Sequence, residues 1–132
     1  MKTFAGYPLG QQSFEVIRRR NLLYVDKTRF IEQIVEAGSQ YYFLARPRRF
    51  GKSLFLSTLR FFFEGRRELF KGLYADTMKW DWEPHPVLYF DLNIEKYETR
   101  EALREVVDRM LTDWEREYDV VTPAKSLLAS AV

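Results

Sequence analysis

The sequence predicts an α/β fold, a parallel sheet flanked by helices, and three observations lead there. A short, aromatic, uncharged run at 41–45, YYFLA, stands directly before a loop that ends in Gly51-Lys52-Ser53. An almost wholly apolar helical stretch follows at 52–64. A second apolar run, VLYFDL at 87–92, and a further helical pattern come after it. Strand, helix and strand in that order imply a right-handed parallel crossover.

The elements are justified in chain order. Ser13 is placed to cap a short helix running to about Asn21, with Phe14 and Ile17 on its inner side. LLYVD at 22–26 is a brief apolar run of extended character. Asp26 or Thr28 then caps a second helix, in which Phe30, Ile31, Ile34 and Val35 follow helical spacing. Gly38 is its natural stop, because glycine takes the left-handed helix-ending conformation without steric cost. Residues 41–45 carry the composition of a buried parallel strand. From Lys52 to about Glu64 apolar side chains leave few polar faces, as in a helix buried on most sides. Gly65 ends it, and RRELFKG adds one or two further turns.

Gly72, Trp80, Trp82, Pro84 and Pro86 mark 72–86 as irregular. His85, the single histidine, lies between two prolines and reads as a loop residue. Residues 87–92 read as a second core strand. From about Thr99, Leu103, Val106, Val107, Met110, Leu111, Trp114 and Tyr118 recur every three or four residues, which makes a helix with a core-packing face. Pro123 breaks that pattern.

Composition narrows the function classes. The 132 residues are 46% hydrophobic and 30% charged, which suits one small folded domain rather than a disordered chain. Without cysteine there are no disulfides and no thiolate metal sites. No apolar run approaches the roughly 20 residues of a membrane span, and MKTFAGYPLG lacks the apolar stretch of a secretory signal. A cytoplasmic protein without membrane contact is the expectation. The net charge of +2 hides an asymmetry: residues 1–72 hold 14 basic and 6 acidic side chains, residues 73–132 hold 7 and 13. A basic half fits a polyanion; equally, opposite charges meet across the fold or face water.

The segment 46–53 carries the chemistry. A phosphate loop delivers backbone N–H groups, a helix N-terminus and a lysine to one anion, and the next hydroxyl to Mg²⁺. Here Lys52 takes the lysine position, Ser53 that of the magnesium ligand, and Gly51 lets the backbone approach phosphate closely. The pattern G-x-x-x-x-G-K-[ST] asks for glycine at position 46, where this chain has arginine. Pro47 fixes its own φ and pushes Arg46 toward extended geometry. The candidate nucleotide-binding set is therefore Arg46, Pro47, Arg48, Arg49, Phe50, Gly51, Lys52, Ser53 and Leu54, with Ser53 at the metal.

NLLYVDKTRFI, YYFLARPRRFGKSLFLSTLRFFFEGRRELFKGLY and HPVLYFDL together resemble the AAA-ATPase-like family of bacterial and archaeal P-loop proteins, over residues 14 to about 95. Such loops commonly open R-P-R-R in that family, so Arg46 is its form. The resemblance implies a P-loop NTPase fold, ATP and Mg²⁺ as ligands, and a restriction-nuclease-like domain further along many members, through which nucleic acid would be a partner. Asp26, Lys27 and Thr28 match a motif ahead of the loop: they lie near the base, brace the loop, or serve as helix cap and surface lysine. Asp91 matches the second-strand aspartate, but Leu92 and Asn93 follow it where a Walker B acid usually precedes glutamate. A sheet of this class averages about five strands. With two, residues 1–132 are expected to be the amino-terminal part of the domain, 39–65 being strand, loop and helix and 87–118 the second strand and its helix. Such a portion, with Walker B expected beyond Val132, is expected to bind nucleotide weakly and not to hydrolyse it.

Two other readings compete. A nucleic-acid-binding module would use Arg18, Arg19, Arg20, Arg46, Arg48 and Arg49. A protein-interaction domain would present Phe61, Phe62, Phe63, Trp80 and Trp82 as surface that packs on other elements or on a second copy. A nuclease site fails, since Glu95-Lys96 lacks the residue that separates acid from lysine in E-x-K.

Overall fold

The computed structural model describes residues 3–92 and 98–119. These form four α-helices and two 3₁₀ turns: α1 Phe14–Arg19, α2 Arg29–Ala37, α3 Lys52–Phe63, the turns Arg67–Phe70 and Tyr74–Thr77, and α4 Arg100–Glu117. The chain divides into two compact units, Met1–Val87 and Leu88–Val132.

The expected sheet is not there. Among the described residues no β-strand forms, and the β-type pairing is one isolated parallel bridge, Gly6 to Leu22. The α/β assignment, with a parallel sheet at the heart of a partial P-loop NTPase fold, is therefore corrected to a helical architecture. The reason lies in what a strand requires. A buried parallel strand is covered on both faces and bonded to neighbours on its edges. Yet Tyr41 and Phe43 are 89% and 93% exposed, and no ladder of backbone bonds joins 41–45 to another segment among the described residues. Most of the second run, 88–92, belongs to the other compact unit and is also irregular. Aromatic and β-branched composition measures fitness for a pleated, half-buried surface, and supplies no such surface itself.

The helices lie where their apolar spacing predicts, but Ser13 and Thr28 stand at the N-cap positions of α1 and α2 without a side-chain cap bond. Phe14 and Ile17 are fully buried on α1. α2 ends at Gly38 in the left-handed conformation, φ 60°. The Thr99 hydroxyl accepts the Ala102 amide at 3.1 Å and caps α4. In the second unit Val106 is the buried member of the α4 stripe, and Phe90 meets Trp114 edge-on at 4.6 Å. Glu95, Lys96 and Pro123 lie outside the described residues. Among the described residues no helix is long and apolar enough to cross a membrane.

The core of the first unit is aromatic. Phe62 lies 4.9 Å from Trp82, 5.2 Å from Trp80 and 5.8 Å from Phe70, and Phe14 packs on Phe70 at 4.8 Å. Phe61 and Phe62 are interior, as expected of a helix buried on most sides, and so is Trp82, while Phe63 and Trp80 pack half-buried against them; the alternative of an interaction surface built from these five side chains loses most of its surface. The chain turns back on itself to bring them together, and Gly65 makes the turn. Its φ is 75°, and a Cβ there would sit 2.6 Å from the Trp82 carbonyl oxygen. The irregular segment thereby closes over the end of α3, where the His85 amide donates to the Phe63 carbonyl at 2.8 Å.

Gly38 and Gly65 separate the two roles of glycine. Both have positive φ, but the Gly38 Cβ position is open space. Gly38→Ala is expected to cost about 1 kcal/mol, the left-handed penalty alone. Gly65→Ala adds a backbone clash and is expected to cost at least about 2 kcal/mol. Urea unfolding followed by tryptophan fluorescence measures the difference.

Candidate functional site

The loop meets α3 at Gly51, whose φ is 78°. Nothing lies within 4 Å of a Cβ built there, so the backbone's handedness, rather than crowding, selects glycine. Two residues earlier Arg49 is also left-handed, φ 65°. Residues of this hand, alternating with right-handed ones, turn successive N–H groups into one concavity. The Phe55 amide is the first along α3 to find a backbone acceptor, the Gly51 carbonyl at 2.9 Å. Among the described residues the amides of Lys52, Ser53 and Leu54 donate to nothing. The first turn carries no acidic side chain and no side-chain cap. Instead it carries Lys52, a cation at the positive end of the helix dipole, where a cation is disfavoured.

A cavity of about 560 Å³ opens there, walled on one side by Arg49, Gly51, Lys52, Ser53 and Leu54 and on the other by Gly10, Gln11 and Gln12. A second, of about 210 Å³, adjoins it through Gly51 and Leu54 and takes in Arg46 and Phe50. Pro47 and Arg48 are exposed in the turn between Arg46 and Arg49. Among the described residues none of Arg46, Arg48, Arg49 and Lys52 forms an ion pair. Gln11 and Gln12 carry no motif and escaped sequence reasoning. Just after them the Phe14 amide donates to the buried Ser57 hydroxyl at 3.0 Å and ties the start of α1 to α3.

Asp26 is employed elsewhere. One carboxylate oxygen accepts the Thr28 amide at 2.9 Å and the Thr28 hydroxyl at 2.7 Å, and the other accepts the Tyr74 amide at 2.7 Å. The fully buried Thr28 hydroxyl accepts the Ala75 amide at 2.9 Å. The pair therefore latches the start of α2 to the second 3₁₀ turn. Burial pushes the Asp26 carboxyl up, but the bonds from Thr28 and Tyr74 and the positive charge of Arg18 outweigh it and hold the group below the ordinary aspartate value. Lys27, between them, points into no part of the latch and lines the smaller cavity.

The basic surface is smaller than the sequence implies. Arg18 donates to the Leu69 and Lys71 carbonyls at 2.6 and 2.7 Å, and Arg19 pairs with Glu15 at 2.9 Å. Arg18 is thereby tied to the first 3₁₀ turn, whereas Arg19 stays exposed in its pair. On the far side of Arg46 a mostly apolar cavity of about 500 Å³ runs between α2, α3 and residues 42–44, with Phe30, Ile34, Tyr42, Phe43 and Leu59 in its walls. The Tyr42 hydroxyl donates to the Ile34 carbonyl at 2.6 Å and pins this segment to the end of α2.

The family model for AAA-ATPase_like, Predicted AAA-ATPase, matches residues 8–131. The chain belongs to this predicted AAA-ATPase family. The match takes in α1 to α4 and both cavities beside Gly51. A similar curated protein, "Uncharacterized protein in vnfD 5'region" of Azotobacter chroococcum mcd 1, is 53% identical over 83 residues. The alignment covers 61% of this family member and 16% of that relative. No solved structure matches the chain.

The latch generates a pH prediction. The Asp26 carboxyl is lower in the folded than in the unfolded chain, so its stabilisation is present above the unfolded value of about 3.9 and is lost as pH falls through the folded value. Asp26→Asn is expected to lower stability by about 1 kcal/mol at neutral pH, a modest figure because the carboxylate is partly exposed. That gap should close in acid below the folded value. Urea midpoints of both chains across the acid range measure it.

Proposed function

We propose that the chain binds ATP with Mg²⁺ through residues 46–53. The observation that carries this reading is the start of α3, where amides without acceptors, Lys52 and Arg49, neither in an ion pair, line one cavity with no acid to balance them. Such a set repels itself, and a polyphosphate anion relieves the repulsion. In this reading the Gly51, Lys52 and Ser53 amides and the Arg49 side chain face the phosphates. The Lys52 ammonium bonds their terminal oxygens, and Arg46 and Arg48 add charge around the turn. Pro47 and Phe50 shape the turn, and Leu54 closes its base.

The donor set suits magnesium in one respect. Mg²⁺ is held by few protein oxygens and completes its shell with water and substrate phosphate. The exposed Ser53 hydroxyl on the cavity wall is a ligand of that kind. Mg²⁺ would neutralise phosphate charge there. Membership of the family supports ATP as the nucleotide. The activity of any larger protein that contains this domain is left to the same reading: nucleotide binding is the part these residues supply.

Isothermal calorimetry of Mg·ATP against the chain and against Lys52→Ala tests it. Loss of an ammonium bonded to phosphate is expected to weaken binding at least about tenfold, the equivalent of a charge-assisted hydrogen bond. Circular dichroism should be unchanged, since Lys52 makes no ion pair within the described fold. Equal affinity of the two chains would remove the reading.

A further inference from the structure

A further cavity, of about 490 Å³, lies at the carboxyl end of α2 within the first unit, and none of residues 46–53 lines it. Three aromatic side chains from three segments border it, Tyr42, Phe63 and Trp80, beside the aliphatic Ile34, Val35 and Leu59. Phe63 and Trp80 stand nearly perpendicular, at 84°, with ring centroids 6.1 Å apart. Phe62 stacks on the indole at 5.2 Å and braces it, and His85, 6.2 Å from the indole, is not part of the cavity wall. Tyr42 is 51% exposed, yet its hydroxyl donates to the Ile34 carbonyl at 2.6 Å and accepts the Ser39 amide at 3.1 Å, which holds it beside the end of α2. The charge here is one-sided. No lysine, arginine or histidine lines the cavity, and among the described residues none of the three rings meets a cation. The last turn of α2 holds Glu36 and no basic residue, although the negative end of the helix dipole favours a cation there. Among the described residues the Val35, Glu36 and Ala37 carbonyls accept no hydrogen bond.

We propose that this cavity binds a small trimethylammonium compound, a cation of the choline type, among the rings of Tyr42, Phe63 and Trp80. Aromatic rings and a helix carboxyl end both attract positive charge, and here they face one space that no cation of the chain enters. A trimethylammonium group spreads its charge over methyl surface and has no hydrogen to donate. It therefore leaves water for an aromatic-lined space at little cost, and the ring quadrupoles replace its hydration. A primary ammonium carries three donors and a tightly held hydration shell. The side-chain acceptors that would replace that shell are few: Ser39 and Gln40, both exposed, and the Tyr42 hydroxyl, already bonded. The volume lies within the roughly 300–1,000 Å³ of small-molecule sites, so a chain attached to the cationic head is accommodated with it. The inference stands apart from the phosphate reading, because it uses no residue of the turn before α3.

The test is an NMR titration of the 132-residue chain with choline, with ethanolamine, and with the uncharged choline analogue in which tert-butyl replaces trimethylammonium. The readout is the Trp80 indole N–H, buried without an acceptor and assigned by its loss in Trp80→Phe. Choline should bind at least about fivefold tighter than its uncharged analogue, the equivalent of a cation against aromatic walls, and tighter than ethanolamine. Tyr42→Leu, at a half-exposed position, keeps apolar area and removes a ring. It should weaken choline about threefold or more and leave the uncharged analogue unchanged. Tyr42→Phe, which keeps the ring and loses the hydroxyl, should bind choline as tightly as the parent chain. If the uncharged analogue or ethanolamine binds as tightly as choline, the cavity does not select a trimethylammonium cation and the inference is overturned. It is overturned equally if choline leaves the indole signal in place, or if Tyr42→Leu binds choline like the parent.

Discussion

Phe62 is fully buried at the carboxyl end of α3, in contact with Phe70, Trp80 and Trp82, and the position of the loop at the other end of the helix follows from that contact. Burying a phenylalanine is worth about 1.5–3 kcal/mol, and each well-placed aromatic pair adds about 0.5–1.5. The 12 residues of α3 then act as a rod about 18 Å long. Its middle is fixed to α1 by the Ser57 hydroxyl, and Thr58, fully buried, returns its own hydroxyl to the Leu54 carbonyl at 2.8 Å. What remains at the amino end is a turn with polar groups unspoken for, held still by a hydrophobic anchor far from it.

That turn runs against local preference in two ways. Arg49 is left-handed without being glycine, which costs about 1–2 kcal/mol. Lys52 stands at the helix end where the dipole repels it. Strain and like charge gathered in one place persist only when the surroundings impose them, and they concentrate where a ligand is meant to relieve them. The latch from Asp26 and Thr28 to Tyr74 and Ala75 shows the contrasting case. Its polar groups are mutually satisfied, and it serves the fold alone.

How far the sequence could be read depended on the range of the forces involved. The helices were legible because apolar spacing and the stop at Gly38 act within a few residues. The glycine at the start of α3 was legible for the same reason, and it is left-handed there. The sheet was misread because YYFLA has a strand's composition, and composition is silent about neighbours. The burial of α3 was legible in its apolar run, but not its partners: Trp80 and Trp82 reach it through a reversal at Gly65 that no periodicity announces. Phe14, two residues after Gln12, bonds Ser57 across 43 residues of sequence, and Asp26 reaches Tyr74 across 48. Contacts of that separation leave no local trace.

Arg46 belongs to the walls of two cavities, the apolar one bordered by Tyr42 and Phe43 and the smaller one beside Gly51. Residues 41–45 therefore border the turn through Arg46. An occupant of the apolar cavity would lie against the same guanidinium as an occupant of the smaller one. Thermodynamic reciprocity then makes the effect run both ways: an occupant of the turn that prefers one stance of Arg46 strengthens, by the same factor, an occupant of the apolar cavity that prefers the same stance.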